Sequence, residues 1–413
     1  MTTRSSTLPC SAPPRRVLCA PYHLYTHQDV LASLFREMRG RGWQVSVLLP
    51  FTANSTLQRM FDEARLLVEP QDIHDFTFRR LLGGGSNIAL ARALRALALT
   101  WYFVRAIWLL LSRRPDALLL TSDLGGVSVR FVQLVARGLG VPIVTLQSTL
   151  FLRVAEREDL KFEIRPRWLH QLLSSGPLKK LFLYFGEIPG SFLPDSYVAV
   201  QDEEIRQVCV DFGKDPSRIA TFGSLQAAQI HGLRRRLGTV DGRPCVLLLT
   251  ECIEERFDEA MVRRDLDWLQ ALAEAVHHRA DIRVRFHPRE SATYRQRLLE
   301  RLGPLATVDS APDAVTAAAG ADVIVGAFSM LMFDAQAAGV PAVFLDMGVD
   351  PIGFYDERRH PRAGSSEDLV RHVESALDVG RIDSAATAMD AETWARRVVD
   401  WIAGLTVAGH RQA

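Results

Sequence analysis

The 413-residue chain has little of several things that would assign a protein to a class at once. It lacks an excess of charge of either sign. Its 49 Lys and Arg stand against 48 Asp and Glu, a net +1, which argues against a protein whose main task is gripping nucleic-acid phosphates. Lysine is nearly absent: Lys161, Lys179, Lys180 and Lys214 are the four in the chain, an imbalance that reads as genomic bias toward arginine. The five cysteines (Cys10, Cys19, Cys209, Cys245, Cys252) form no CxxC pair, which fits neither a disulfide framework nor a zinc knuckle and suits a reducing cytosol. No apolar run reaches the roughly 20 residues that a membrane span needs. The longest, Ala96 to Leu111, is interrupted by Arg105. Residues 1–15, rich in Ser, Pro and Arg, lack the apolar core of a secretion signal and read as a disordered tail. Gly83-Gly84-Gly85 has neither a following Lys-Ser/Thr nor the GxGxxG spacing, so the common nucleotide fingerprints are missing and the run is expected to be a loop.

What is present is alternation. At about 150 residues per domain the length implies two domains or three, and 48% hydrophobic with 23% charged residues is ordinary for globular chains. In the first half, short apolar runs at Val17–Ala20, Gln44–Leu49, Ala117–Thr121, Pro142–Leu146, Ser196–Val200 and Ile219–Phe222 read as strands. Between them, Asp29–Arg39, Asn87–Leu111, Gly126–Leu139 and Asp202–Phe212 carry helical periodicity. Phe151–Phe192 is irregular, as binding loops and lids are. A polar, Arg-rich linker is expected over Ser224–Arg243. A second series follows, with strands at Cys245–Thr250, Asp281–Phe286, Leu305–Val308, Ala321–Val325 and Pro341–Leu345. Its helices are Phe257–His278, Ser291–Leu302, Ala311–Ala319 and Met330–Ala338. Continuous apolar runs without strict alternation mean strands covered on both faces. The fold class is therefore α/β: two Rossmann-like, doubly wound parallel-sheet domains facing across a cleft, residues 16–230 and 240–385. A C-terminal helix within 386–413, with Trp394 and Trp401, is expected to pack across both.

Chemistry belongs at the carboxyl ends of such strands. Four clusters lie there. In Phe286-His287-Pro288-Arg289-Glu290, a strand delivers His287 and Pro288 stops it. The imidazole can donate to a phosphate oxygen of a departing nucleotide, with Arg285 and Arg289 adding contacts. In Gly326-Ala327-Phe328-Ser329, Ser329 is placed to cap the next helix, whose N-terminus attracts phosphate. Asp334 in that helix either accepts from a ribose hydroxyl or faces water. Pro21 to Asp29 carries His23 and His27, candidates for deprotonating an attacking hydroxyl, with His27 preferred. Thr121-Ser122-Asp123 offers Asp123 as an alternative base, or as a plain N-cap. Thr250-Glu251-Cys252 places another carboxylate toward the cleft.

The run Phe286 to Glu290, then Gly326 to Ser329, then Phe333-Asp334-Ala335-Gln336-Ala337-Ala338-Gly339-Val340-Pro341, resembles the donor half of GT-B glycosyltransferases. Within these it is similar to the surface-polysaccharide group: "HP"-motif bacterial sialyltransferases, capsule Kdo or polysialic acid enzymes, and CDP-glycerol glycerophosphotransferases. Arg39-Gly40-Arg41-Gly42-Trp43-Gln44-Val45, Pro142 to Ser148 and Phe212 to Ser224 resemble first-half segments and the inter-domain crossover of the same enzymes. Where the sialyltransferases pair two serines this chain has Ser329-Met330, and their acidic base motif has no counterpart, because Leu124 follows Asp123.

The resemblance implies inverting transfer of a sugar or polyol-phosphate from a nucleotide-activated donor, CMP- or CDP-linked before UDP-linked, to a glycan or small-molecule hydroxyl. The nucleotide-sugar is a co-substrate; no metal and no resident cofactor are expected. Polysaccharide or capsule biosynthesis in the cytoplasm is the implied setting. Two alternatives stay open: a non-hydrolysing UDP-N-acetylhexosamine 2-epimerase-like isomerase, and a non-catalytic GT-B partner protein. For Ala96–Leu111, with Arg92, Arg95 and Arg105 beside it, a core helix with one wet edge and a helix peripheral to the inner membrane face are both open.

Overall fold

A computed structural model describes residues 14–21, 28–51, 54–76, 88–121, 126–147, 190, 192–237, 242–327, 329–347, 358–379 and 389–410. Strand β1 (Arg16–Cys19), helix α1 (Gln28–Gly40) and strand β2 (Gln44–Leu48) make the first crossover. Leu31, Leu34, Phe35 and Met38, spaced as one helical face, are the buried side of α1. Gly42 then takes φ +77°, a left-handed conformation that suits glycine and ends the helix before β2. Next come α2 (Asn54–Arg65), β3 (Ile73–His74), α3 (Ile88–Arg113), β4 (Ala117–Leu120), α4 (Val127–Gly138) and β5 (Ile143–Leu146). Then follow β6 (Tyr197–Val200), α5 (Glu203–Asp211) and β7 (Ile219–Thr221). The seven strands lie in the order β3-β2-β1-β4-β5-β6-β7. The β1–β2, β1–β4, β2–β3 and β4–β5 pairings are parallel.

The second series runs α6 (Leu225–Leu237), β8 (Cys245–Leu249), α7 (Ile253–Arg256), α8 (Glu259–Val276), β9 (Asp281–Arg285), α9 (Ala292–Leu302) and β10 (Ala306–Val308). It continues through α10 (Ala314–Ala319), β11 (Val323–Gly326), α11 (Met330–Ala337), β12 (Ala342–Leu345), β13 (Arg362–Ala363), α12 (Ser366–Val379) and α13 (Ala391–His410). Six parallel strands stand in the order β10-β9-β8-β11-β12-β13.

Two compact units result. Among the described residues one takes those up to Leu146, those from 190 to Val198, and those from Ala395 onward. The other takes Gln147 and Ala199 to Trp394. In the first unit, β1 and β4 share a core with α3 and α4 through Leu18, Tyr102, Leu109, Leu118, Leu120 and Val132. In the second, Val246, Leu248, Val323, Val325 and Val343 of the sheet pack on Leu266, Leu269 and Leu298.

The expected parallel strands are present, their ends shifted by one or two residues. Several expected helices start late because the polar residue before each is a non-helical cap: Asp202, Ser291 and Asp313 each accept a backbone N–H of the first turn. The expected linker is a correction. Leu225 to Leu237 is a helix that buries Leu225, Ala227 and Ile230 and packs on α10 and α11. The Arg234-Arg235-Arg236 run that suggests a solvated linker is its last turn. There cations suit the helix dipole, and Arg234 Nη1 donates to Ala321 O at 2.7 Å. The second sheet also does not close at Leu345: β13 and α12 extend it. The strands β13 and β3 escape a pattern search because two-residue edge strands have no readable period. In α13 the Trp394 indole N–H donates to Gly223 O at 3.0 Å, and the Trp401 ring meets Tyr197 edge-on.

A buried helix and a solvated linker respond differently to a cavity. Ile230→Ala is expected to lower unfolding free energy by about 2–4 kcal/mol in a denaturant titration. An unchanged midpoint would return this segment to the status of a linker.

Candidate functional site

Strands β9, β8 and β11 are parallel neighbours, so their carboxyl ends share one edge of the second sheet. Sequence order reverses there: β8 leads outward to β9 on one side, while β11 leads to β12 on the other. Loops leaving a switch of this kind diverge and open a crevice. Three of the segments singled out by sequence follow these three strands: Thr250-Glu251-Cys252, Phe286 to Glu290, and Gly326 to Ser329.

The His-Pro segment is a β-turn. Pro288 occupies the second position, where its fixed φ suits the chain reversal, and Glu290 N–H donates to His287 O at 2.9 Å. Arg295 Nη2 donates to the same carbonyl at 3.1 Å. Thr250, 6% exposed, accepts His287 N–H on its hydroxyl at 3.0 Å and ties the turn to the end of β8. The imidazole is oriented as well as placed. Arg289 N–H donates to His287 Nδ1 at 3.2 Å, and Cys252 Sγ lies 2.9 Å from the same nitrogen. A backbone N–H can only donate, so Nδ1 is the acceptor and the neutral ring carries its proton on Nε2.

Cys252 itself is fully buried and left-handed, with φ 56° and ψ 48°, an uncommon backbone for a residue bearing a Cβ. Its N–H donates to Glu290 Oε2 at 2.9 Å. Glu290 is 6% exposed and its other oxygen, Oε1, is buried without a hydrogen-bond partner among the described residues. Glu251, expected to face the cleft, is 5% exposed: Oε1 accepts Ala327 N–H at 3.2 Å. Gly326 makes that approach feasible. A Cβ there would sit 2.8 Å from Met332 Sδ and 3.2 Å from Glu251 Oε1.

Ser329 caps α11 as expected, accepting Leu331 N–H on its hydroxyl at 3.3 Å. Asp334 is a correction. It is 1% exposed, neither facing water nor open to a ribose, because it lies on the face of α11 packed against α6. Oδ1 accepts from Ser224 Oγ at 2.5 Å, and Oδ2 is buried without a partner among the described residues. Burial pushes its pKa up from 3.8 to about 7, against the opposing pull of the Ser224 bond. Arg285 is a second correction: its Nη1 is bonded to Asp309 at 2.5 Å and Ala311 O at 3.1 Å, joining β9 to the segment after β10. Arg289 and Pro288 are exposed on the turn.

His23, His27, Asp123 and Phe328, with most of the Phe151–Phe192 segment and the Gly83-Gly84-Gly85 run, lie outside the described residues. The strands that precede the first three, β1 and β4, are paired neighbours at the switch point of the first sheet. Cys252 and Glu290 escape sequence reasoning as contributors to the site, although both adjoin residues it singles out. Their roles come from burial, which no motif signals.

Asp334 carries a pH prediction with a definite sign. Its folded pKa lies above 3.8, so between about pH 4 and 7 the folded chain holds a proton that the unfolded chain has lost. Its contribution to stability is therefore complete below that interval and declines as pH rises through about 7. Asp265, pushed up to about 6 by burial, acts in the same direction. Asp334→Asn is expected to flatten the fall in Tm between pH 5 and 8 and to exceed the parent by a few degrees at pH 8. A mutant curve parallel to that of the parent would refute the assignment.

The sequence matches no family model and no curated protein. Solved structures do match. A UDP-GlcNAc 2-epimerase from Neisseria meningitidis bound to UDP-GlcNAc superimposes with a TM-score of 0.57 at 10% identity, over 93% of this chain and 98% of that one. A UDP-GlcNAc 2-epimerase from Methanocaldococcus jannaschii gives 0.55 at 14% identity, over 94% and 99%. A glycosyltransferase from Rickettsia africae gives 0.51 at 9% identity, over 97% and 98%. At such identities the likeness concerns fold alone: this chain has the GT-B-type fold, two Rossmann-like α/β units built on parallel sheets.

Proposed function

We propose that the protein is an inverting GT-B glycosyltransferase that moves a sugar or polyol-phosphate from a nucleotide-activated donor, CMP- or CDP-linked, to an acceptor hydroxyl in glycan or polysaccharide biosynthesis. One observation carries the reading. His287 is held on a proline turn at the sheet's switch point with Nδ1 accepting from Arg289 N–H, so that the neutral ring carries its donor proton on Nε2. For a sugar donor, the acceptor hydroxyl gives its proton to a base and its oxygen attacks the anomeric carbon from the face opposite the nucleotide. The bond from that carbon to the phosphate oxygen breaks, and the electron pair leaves on the phosphate. Donation from His287 Nε2 and the Ser329 hydroxyl, with the positive end of the α11 dipole, then stabilises the departing charge. His27, Asp123 or His23 would supply the base. The resemblance to the "HP"-motif enzymes favours cytidine nucleotides and a transfer without metal.

A second reading has its own support. Structures of UDP-GlcNAc 2-epimerases share the fold over nearly the whole chain, and one of them is bound to UDP-GlcNAc. In such an isomerase the nucleotide-sugar is the sole substrate and no acceptor is consumed.

Thermal shift with CMP, CDP, UDP, GDP and ADP separates these readings when joined to product analysis. The transferase reading expects stabilisation by cytidine nucleotides above purine nucleotides. It also expects His287→Ala to lower turnover about 10²–10³-fold, the usual loss when one donor to a developing anion is removed. An epimeric product from UDP-GlcNAc alone would establish the isomerase reading instead. The absence of any nucleotide-induced shift would leave a non-catalytic partner, and unchanged turnover in His287→Ala would remove the leaving-group role.

A further inference from the structure

Helix α3 is apolar on two sides. One side, Ala98, Tyr102, Ala106, Leu109 and Leu110, is fully buried in the core of the first unit. The other carries Leu97, Trp101, Val104, Trp108 and Leu111, spaced by 4, 3, 4 and 3 residues, at 60%, 42%, 53%, 55% and 49% exposure. That spacing is one continuous stripe, about 21 Å long at 1.5 Å per residue. With Ile107, six of the thirteen exposed large hydrophobic residues among the described ones lie on this single helix. Residues 96–113 are long and apolar enough to pass as a membrane span, yet the inner side is locked against β1, β4 and α4. The helix can therefore only lie along a surface.

The chemistry of the stripe identifies that surface. From Ile88 to Arg113 the helix has four arginines and no acidic residue, and Arg114 follows. Trp101 and Trp108 stand one above the other on the stripe, and tryptophan is the side chain that settles at the boundary between headgroups and acyl chains. Between them lies Arg105, its guanidinium 5.6 Å and 5.0 Å from the two ring centroids and 5.3 Å from Phe76. An arginine held on aromatic faces beside an apolar stripe keeps its charge at headgroup level while its stem contributes apolar surface. A protein partner would need an acidic, apolar counter-surface of matching length. An anionic bilayer supplies both features without any shape requirement.

We infer that the outer face of α3 docks the protein on an anionic lipid surface, the helix lying in the interfacial plane. This does not rest on the transferase reading. The test is co-sedimentation of the full chain with vesicles of phosphatidylcholine alone and of phosphatidylcholine mixed with phosphatidylglycerol. The mixed vesicles are expected to capture the protein about tenfold more strongly at low salt, with the advantage falling as salt is raised. Trp101→Ser with Trp108→Ser, and separately Leu97→Gln with Leu111→Gln, should abolish capture while circular dichroism and Tm stay near the parent, since these side chains face outward. Either pair suffices if the other fails to fold. No capture by mixed vesicles, or capture unchanged in both folded variants, would overturn the inference. So would a parent dimer that the substitutions split into monomers with no lipid binding, because a second copy would then be what covers the stripe.

Discussion

Three buried side-chain oxygens hold the candidate site together. Thr250 Oγ1 accepts His287 N–H, Glu290 Oε2 accepts Cys252 N–H, and Glu251 Oε1 accepts Ala327 N–H. Each bond runs from the end of one strand to the end of its neighbour, so β9, β8 and β11 are stitched beyond the last rung of the sheet. Strand ends need such stitches, because a backbone N–H that leaves the ladder and stays buried must find an acceptor. Two of the three acceptors are carboxylates at 5–6% exposure, whose burial is tolerable only with donors aimed at them. The loops are thereby fixed in place, and a preorganised His287 follows from that fixation.

The same logic explains why Asp334 and Arg285 serve packing. Asp334 meets Ser224 at the start of α6, and Arg285 meets Asp309 after β10. Arg285 ends β9 and Asp334 lies in the helix that follows β11, places where a ligand-binding role is an easy assumption. Both are consumed in joining one element to another. Polar residues near a crevice thus divide into those that build its walls and those exposed within it, and the division is set by burial.

Helix α3 poses the converse case. Its inner face obeys the usual rule of apolar residues against a core, while its outer face repeats the apolar period one position away. A single hydrophobicity profile averages the two faces into one run of moderate strength. The profile therefore cannot distinguish a core helix from a surface-seeking one.

The alternation of strands and helices was legible because parallel strands covered on both faces appear as bare apolar runs such as Cys245–Leu249 and Val323–Gly326, which local composition alone specifies. His287 was legible too, since a histidine and proline at the end of such a run imply a turn at a strand tip. Local patterns do not report which neighbour receives a side chain. The helical character of Leu225–Leu237, the burial of Glu251, the packing of Asp334 and the hold of Cys252 on His287 all depend on residues between 35 and 110 positions away. Periodicity determines the elements; only the register of one strand beside another decides which polar groups meet, because hydrogen bonds between distant segments exist only after those segments have packed.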